Sequence, residues 1–135
     1  MNKSTKDLFK KLTKKFSEFI RLRDANEFGY AFCCTCERWL KWQYMDAGHY
    51  IAKGNNHSIL RWHERNVHAQ CPVCNRMKDG NYEKYQDFMV RKYTIGEIGE
   101  LHMMKNKEQK LTRFELQVKI DHYTELVKEL KKEKL

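Results

Sequence analysis

Two Cys-x-x-Cys pairs, Cys33/Cys36 and Cys71/Cys74, are the residues whose type and spacing most directly specify chemistry. Four thiolates offered from two tight turns suit one tetrahedral Zn²⁺, each pair forming a knuckle that presents two sulfurs. Zinc ribbons commonly separate their pairs by about 15 to 20 residues. Here 34 residues lie between Cys36 and Cys71, more than a closed structural zinc requires. That insert carries Asp46-Ala-Gly-His49, Asn66 and His68, so the spacing predicts reactive groups built onto a zinc staple. Cys34 would pair badly with Cys36, having only Thr35 between them, and reads as a packing residue.

Helices and short strands must position these groups. Ser4 and Asp7 read as a capping box for a first helix whose Phe9, Leu12, Phe16, Phe19 and Ile20 fall on one face, with Lys10, Lys11, Lys14 and Lys15 between them. Trp39 to Tyr44 reads as an aromatic-rich strand, and His49 to Ala52 as the returning strand of a hairpin. Lys53-Gly-Asn-Asn-His57 has turn composition and predicts a flexible loop with His57 exposed. Cys74 to Lys78 begins a helix, interrupted at Asp79-Gly80-Asn81 and resuming through Tyr85, Phe88 and Met89. Thr112 and Glu115 predict a second capping box, followed by Leu116, Ile120, Tyr123, Val127 and Leu130 at seam spacing. That seam either pairs with a second subunit, giving a homodimer, or folds back on the first helix.

At 135 residues with 41% hydrophobic content the chain is one folded unit. No apolar run is long enough to span a bilayer, and the Lys-rich start lacks the apolar segment of a secretory signal. Membrane functions are thereby excluded and a cytoplasmic protein expected; an odd cysteine count without an export signal also fits reduced thiols. The net charge of +9 is uneven, with eight basic against four acidic groups in residues 1–28 and nine against six in 105–135. Beside a nuclease-like centre such a balance favours a polyanion as partner; alone, it describes solvated helices.

The order Cys-x-x-Cys, a strand-borne His, an Asn, then Cys-x-x-Cys-Asn resembles the zinc-stapled HNH (ββα-metal) nucleases. Asp46-Ala-Gly-His-Tyr50, Leu60-Arg61, Glu64-Arg-Asn-Val-His68, Gln70-Cys71, Val73-Cys-Asn75, Lys78 and Gly80-Asn81 look in particular like the NinG (Rap) recombination proteins of lambdoid phages. The resemblance implies an α+β fold with a ββα-metal (HNH/His-Me finger) core over residues 29–93, holding the four-cysteine zinc. N- and C-terminal amphipathic helices, residues 1–28 and 94–135, flank it. It implies His49 as the base that activates water and Asn66 as the residue that orients it. Asn75 becomes a ligand of a catalytic Mg²⁺ or Mn²⁺, a hard ion that keeps waters and binds phosphate oxygens. Asp46 joins it if a bulge at Gly48 returns its carboxylate to the site, since a regular strand would leave it about 6.6 Å along from residue 48. His68 is open between metal, phosphate and packing. Arg61, Arg65 and Lys78 are candidates for phosphate contacts, against a surface-charge reading of each; His63, His102 and His122 receive no role.

The expected function is therefore a metal-dependent DNA endonuclease acting on branched recombination DNA, such as a Holliday junction or D-loop, leaving 5′-phosphate and 3′-hydroxyl ends. A phage origin would place it in the cytoplasm of a bacterial host. Two alternatives share the same residues. One is an HNH nuclease without branch preference; the other is a zinc module that binds DNA without cutting it, for which His49 is dispensable.

Overall fold

The computed structural model describes residues 2–134. Helix α1, Lys3–Arg23, starts two residues earlier than the Ser4–Asp7 box predicts: the Asn2 side chain accepts the Thr5 N–H at 2.8 Å, so Ser4 and Asp7 lie inside the helix. Asn is as good a cap as Ser, because its carbonyl oxygen reaches the same orphan donors. The final helix, α4 (Arg113–Glu133), begins at the expected Thr112–Glu115 box, with both reciprocal hydrogen bonds formed.

The two long helices pack side by side and run parallel. At one end Asn2, Thr5, Thr112 and Arg113 line a common cavity; at the other, Lys134 Nζ donates to the carbonyls of Leu22, Arg23 and Ala25. A lysine placed there satisfies carbonyls that a helix end leaves unpaired and opposes its negative dipole end. Between the ends, Phe16 and Phe19 each lie 5.1 Å from the Tyr123 ring. Leu116, Ile120, Tyr123 and Val127 are buried with Leu12, Phe16, Phe19 and Ile20 in one cluster. The seam of α4 is thus filled by α1 and is not free to join a second copy. Burying each such side chain contributes about 1.5–3 kcal/mol.

A parallel pair obliges the intervening chain to travel back the full helix length, and the strands, the zinc-type turns and two short helices fill that return. Strand β1 (Tyr30–Phe32) pairs antiparallel with β2 (Trp39–Lys41), and the Cys33–Cys36 knuckle forms their turn. The expected strand over Trp39–Tyr44 is halved, because Trp42–Tyr44 coil into a 3₁₀ turn that buries Trp42. Strand β3 (Asp46–His49) does not return along β2. It pairs with β4 (Val67–Gln70), in the register Asp46↔Gln70 and His49↔Val67. The hairpin expectation failed because a period-two pattern marks a strand without naming its partner. The N-terminal helix serves the outer edge of β4: Arg23 donates to the carbonyls of Glu64 and Val67, and Asp24 accepts the Ala69 N–H at 2.8 Å.

After β4, Val73–Met77 form one π-helical turn rather than an α-helix. Asp79, Gly80 and Asn81 all adopt positive φ (47°, 85° and 47°), so the break expected there is a sharp reversal. Helix α2 (Tyr82–Lys92) follows, with Tyr85 and Met89 buried. Helix α3 (Ile95–Met103), unanticipated, starts at its own capping box, Thr94–Glu97. A second cluster gathers Cys34, Tyr50, Ile51, Leu60, Tyr85, Met89 and Leu101, so Cys34 packs and does not join the other cysteines. The chain is thus a mixed α+β protein with two small two-stranded sheets, and among the described residues no helix is long and apolar enough to cross a membrane.

Candidate metal centre and active site

The Sγ atoms of Cys33, Cys36, Cys71 and Cys74 all lie within 4.8 Å of one another. A tetrahedral zinc with Zn–S bonds of about 2.3 Å sets its sulfurs about 3.8 Å apart, and the Cys36–Cys71 separation is 3.7 Å. The donor set and its spacing fit Zn²⁺. The surroundings also suit thiolates: the Cys71 N–H donates to Cys33 Sγ at 3.2 Å, the Cys74 N–H to Cys71 Sγ at 3.5 Å, and Asn81 Nδ2 to Cys74 Sγ at 3.6 Å. Burial pushes the Cys33 thiol up, but hydrogen bonds from Cys71, Thr35 and Cys36 outweigh it and bring the thiol down to about 7. Glu37, at φ 65°, closes the first knuckle, its N–H bonded to the Cys33 carbonyl.

His49, at the end of β3, lies between two cavities. The first, of about 380 Å³, is lined by Thr13, Phe16 and Ser17 of α1 and by Ala47, Lys53, Arg61, Asn75 and Asp79. His49 Nε2 lies 2.9 Å from the Arg61 carbonyl. A carbonyl can only accept, so Nε2 carries the proton and Nδ1 keeps its lone pair. Burial lowers the imidazole pKa to about 4, and the Lys53 and Arg61 charges act in the same direction, against the raising effect of the Arg61 carbonyl. His49 is therefore neutral at pH 7, with one free basic nitrogen.

Asn66, fully buried, holds the backbone on which this arrangement depends. Its Oδ1 accepts the Ile51 N–H at 2.9 Å, and its Nδ2 donates to the carbonyls of Ile51 and Leu60. The amide clamps both ends of the loop between β3 and Arg61, which places the Arg61 carbonyl under His49.

Asp46 and Asn75 come together, Asn75 Nδ2 donating to Asp46 Oδ2 at 3.0 Å. The bulge at Gly48 that would have returned the Asp46 carboxylate to the site is absent, and the β3–β4 register runs unbroken through Gly48↔His68. Alternation then keeps the Asp46 side chain on the opposite face from His49, and Asp46 does not line the His49 cavities. What Gly48 supplies is room: a Cβ there would lie 2.0 Å from Gln70 Oε1. Arg76, which the sequence reading passed over, grips the Asp46 carboxylate with two bonds of 2.8 and 2.9 Å. Its position directly after Asn75 was the signal that could have found it.

Of the remaining candidates only Arg61 faces His49. Arg61 is 8% exposed, its Nε has no partner among the described residues, and its guanidinium lies 4.9 Å over the Phe9 ring. Arg65 is committed to Glu97 and Glu100 of α3 at 3.1 and 3.2 Å, which removes it as a free phosphate contact. Lys78 lines a separate depression beside Cys36. His68 is also removed from the metal set, since both its ring nitrogens are occupied. Tyr85 donates its hydroxyl proton to the Gly48 carbonyl at 2.7 Å, so His68 Nδ1–H must donate to Tyr85 and Nε2 must accept from Tyr93. Burial holds His68 neutral, with its pKa down to about 3. Lys53, Thr13 and Ser17 complete the first cavity, and no local motif marks them because they arrive from loop and helix.

A protein-family model described as Bacteriophage Lambda NinG protein matches residues 1–133. The chain is 32% identical over 117 residues to Protein ninG of Salmonella phage P22, covering 82% of this chain and 55% of that one. To Protein ninG of Escherichia phage lambda it is 31% identical over 100 residues, covering 74% and 46% respectively. With Protein ninG of Escherichia phage 933W the identity is 31%, covering 74% and 47%. The chain thus spans about half the length of the curated relatives it matches, and no solved structure matches it. The match runs through both cysteine pairs and everything held between them, and the chain belongs to the NinG family of phage proteins.

Proposed function

We propose that this chain is a metal-dependent DNA endonuclease of the ββα-metal type, directed at branched recombination DNA, with His49 as general base. The observation that carries the reading is the His49 imidazole: neutral, fixed in one tautomer by the Arg61 carbonyl, and lining one cavity with the Arg61 and Lys53 side chains. Hydrolysis of a phosphodiester needs a water deprotonated near the phosphorus and positive charge for its oxygens. His49 takes the water proton. Arg61 and Lys53 receive the phosphate, whose negative charge raises the His49 pKa from its low resting value toward neutrality. Asn66 positions His49 through the Leu60–Arg61 backbone.

Asn75, which lines the His49 cavity, is the residue that would hold Mg²⁺ or Mn²⁺ there; a hard oxygen-binding ion would supply Lewis-acid stabilisation of the scissile phosphate. Asp46 does not fit that role as it stands: it lies on the opposite strand face from His49, and both its carboxylate oxygens are held by Arg76 and Asn75. The zinc held by the four cysteines is structural, with all four sulfurs in one closed set. The basic face of α1, with Lys10 and Lys14 exposed beside Thr13 and Ser17 of the groove, runs along the His49 cavity where a duplex arm would lie. A homodimer making paired nicks would need a surface other than the α4 seam.

The test compares the intact protein with His49→Ala on a labelled four-way junction and a matched linear duplex, with Mg²⁺, Mn²⁺ or chelator. The expected result is junction cleavage that needs metal and falls about 10²- to 10⁴-fold in the variant, with binding and melting temperature retained. Equal cutting of both DNAs would remove the branch preference. Binding without cutting by the unaltered protein would identify a DNA-binding zinc module.

A further inference from the structure

The second cavity beside His49, of about 330 Å³, is lined by Tyr50, Ile51, Ala52, Asp79, Gly80, Tyr82, His102 and Lys105. It shares His49, Ala52, Asp79 and Gly80 with the first, so one groove passes to either side of the histidine. The two arms differ in chemistry. Asp79 lines both; the first adds Arg61 and Lys53, and the second a single lysine and the rings of Tyr50 and Tyr82. Tyr82 is held against Tyr50 with centroids 5.4 Å apart and planes within 5°, yet remains 46% exposed. Tyr50 is itself immobilised, its hydroxyl 3.0 Å from His102 Nε2 and the His102 ring set edge-on to it. The left-handed run Asp79–Asn81 delivers Tyr82 to this place. A rigid, half-exposed ring at the mouth of a cavity is costly to leave in water and forms a stacking platform.

Resting on the nuclease reading above, we propose that this arm receives a single unpaired nucleobase from the strand whose phosphate lies against His49, stacked on Tyr82. A base fits better than a second phosphate because this arm sets Asp79 against Lys105 alone, where the first arm has two cations, and a carboxylate accepts from the exocyclic amino groups of bases. Both faces of a base inside a duplex are covered by its neighbours, so only a base at a branch, gap or frayed end reaches the ring without added unstacking energy. The arm therefore supplies selectivity for DNA in which a strand leaves the helix. Lys105 at the rim meets the backbone that follows.

The experiment uses the full chain with His49→Ala to prevent cutting, and junctions and linear duplexes with 2-aminopurine at successive positions around the branch. Binding should quench the fluorophore at one position next to the branch and not in the duplex. The quench should disappear with Tyr82→Ala and with Tyr82→Leu, which keeps bulk over Tyr50 but offers no aromatic face, and persist with Tyr82→Phe. Junction affinity should fall about 5- to 150-fold in the first two, the loss of one base–aromatic stack. Equal zinc content and melting temperature certify the fold of each variant. Quenching that is absent, or unchanged in both non-aromatic variants, overturns the proposal. Cleavage by the His49-bearing protein is read separately. If it never cuts but the Tyr82-dependent quench is present, the nuclease reading fails and the base site stands; if it cuts without such a quench, only the base site fails.

Discussion

The cysteine cluster and the His49 groove meet at the Cys74–Asn75 turn and are finished to different degrees. Around the sulfurs, backbone and side-chain N–H groups donate to Cys33, Cys71 and Cys74, and three of the four ligands are buried. Around His49, the histidine keeps a free nitrogen, Arg61 Nε is buried without a partner, and two cavities meet. A set of groups that satisfy one another holds a fold together. A set left unsatisfied lowers stability and is retained where something from outside completes it. The contrast suits a structural role for the first region and, on the proposed function, chemistry for the second.

The largest expected effect would break the comparison if it failed. Chelating the zinc, or replacing Cys74 by Ser, should remove on the order of the whole folding stability, about 5–15 kcal/mol, because Cys33, Cys71 and Cys74 belong to the main hydrophobic cluster with α1 and α4. Metal content and thermal unfolding measure this; a zinc-free chain that melts cooperatively at the same temperature would show that the cluster is no staple. Next is the His49→Ala loss in cleavage, which should leave the melting temperature intact and so separate the two regions in one protein.

Arg61→Met sharpens the contrast further. Met keeps much of the side-chain volume against Phe9 and removes a guanidinium whose Nε is buried without a partner, so stability should hold or rise by a few degrees. DNA affinity should fall about 10- to 100-fold, the loss of a charged hydrogen-bonding contact to phosphate. A destabilised variant with undiminished affinity would reassign Arg61 to the core.

The smallest effect concerns pH. His49 and His68 are held by burial at about 4 and about 3, against about 6.5 in an unfolded chain. Their folded pKa values are depressed, so the unfolded state binds more protons as pH falls. The stability they contribute is complete above about 6.5 and is lost progressively down through the folded values. Urea midpoints between about pH 7 and 4 should fall less steeply in His68→Gln than in the unaltered protein. Zinc release adds proton uptake to both proteins, and the difference between the slopes isolates the histidine. Identical slopes would mean that His68 is protonated as easily in the folded chain as in the unfolded one.

Local chemistry made much of this protein legible from its sequence. The four cysteines were readable because metal ligands need particular atoms at short spacing from tight turns. The faces of α1 and α4 and the Thr112 cap were readable because helical period and capping are properties of neighbouring residues. The order of His49, Asn66 and Asn75 was readable through a family pattern. Partner choice was not. Whether β3 joined β2 or β4, and whether the α4 seam met a second copy or α1, depended on which surfaces the whole chain could bury together. The same holds for the individual candidates. Arg65, His68 and Lys78 have suitable side chains, and only the positions of Glu97, Tyr85, Tyr93 and the first knuckle withdrew them from the site. Arg61, no different from them in one dimension, lines the His49 cavity because the fold buried it there and, among the described residues, paired it with no carboxylate.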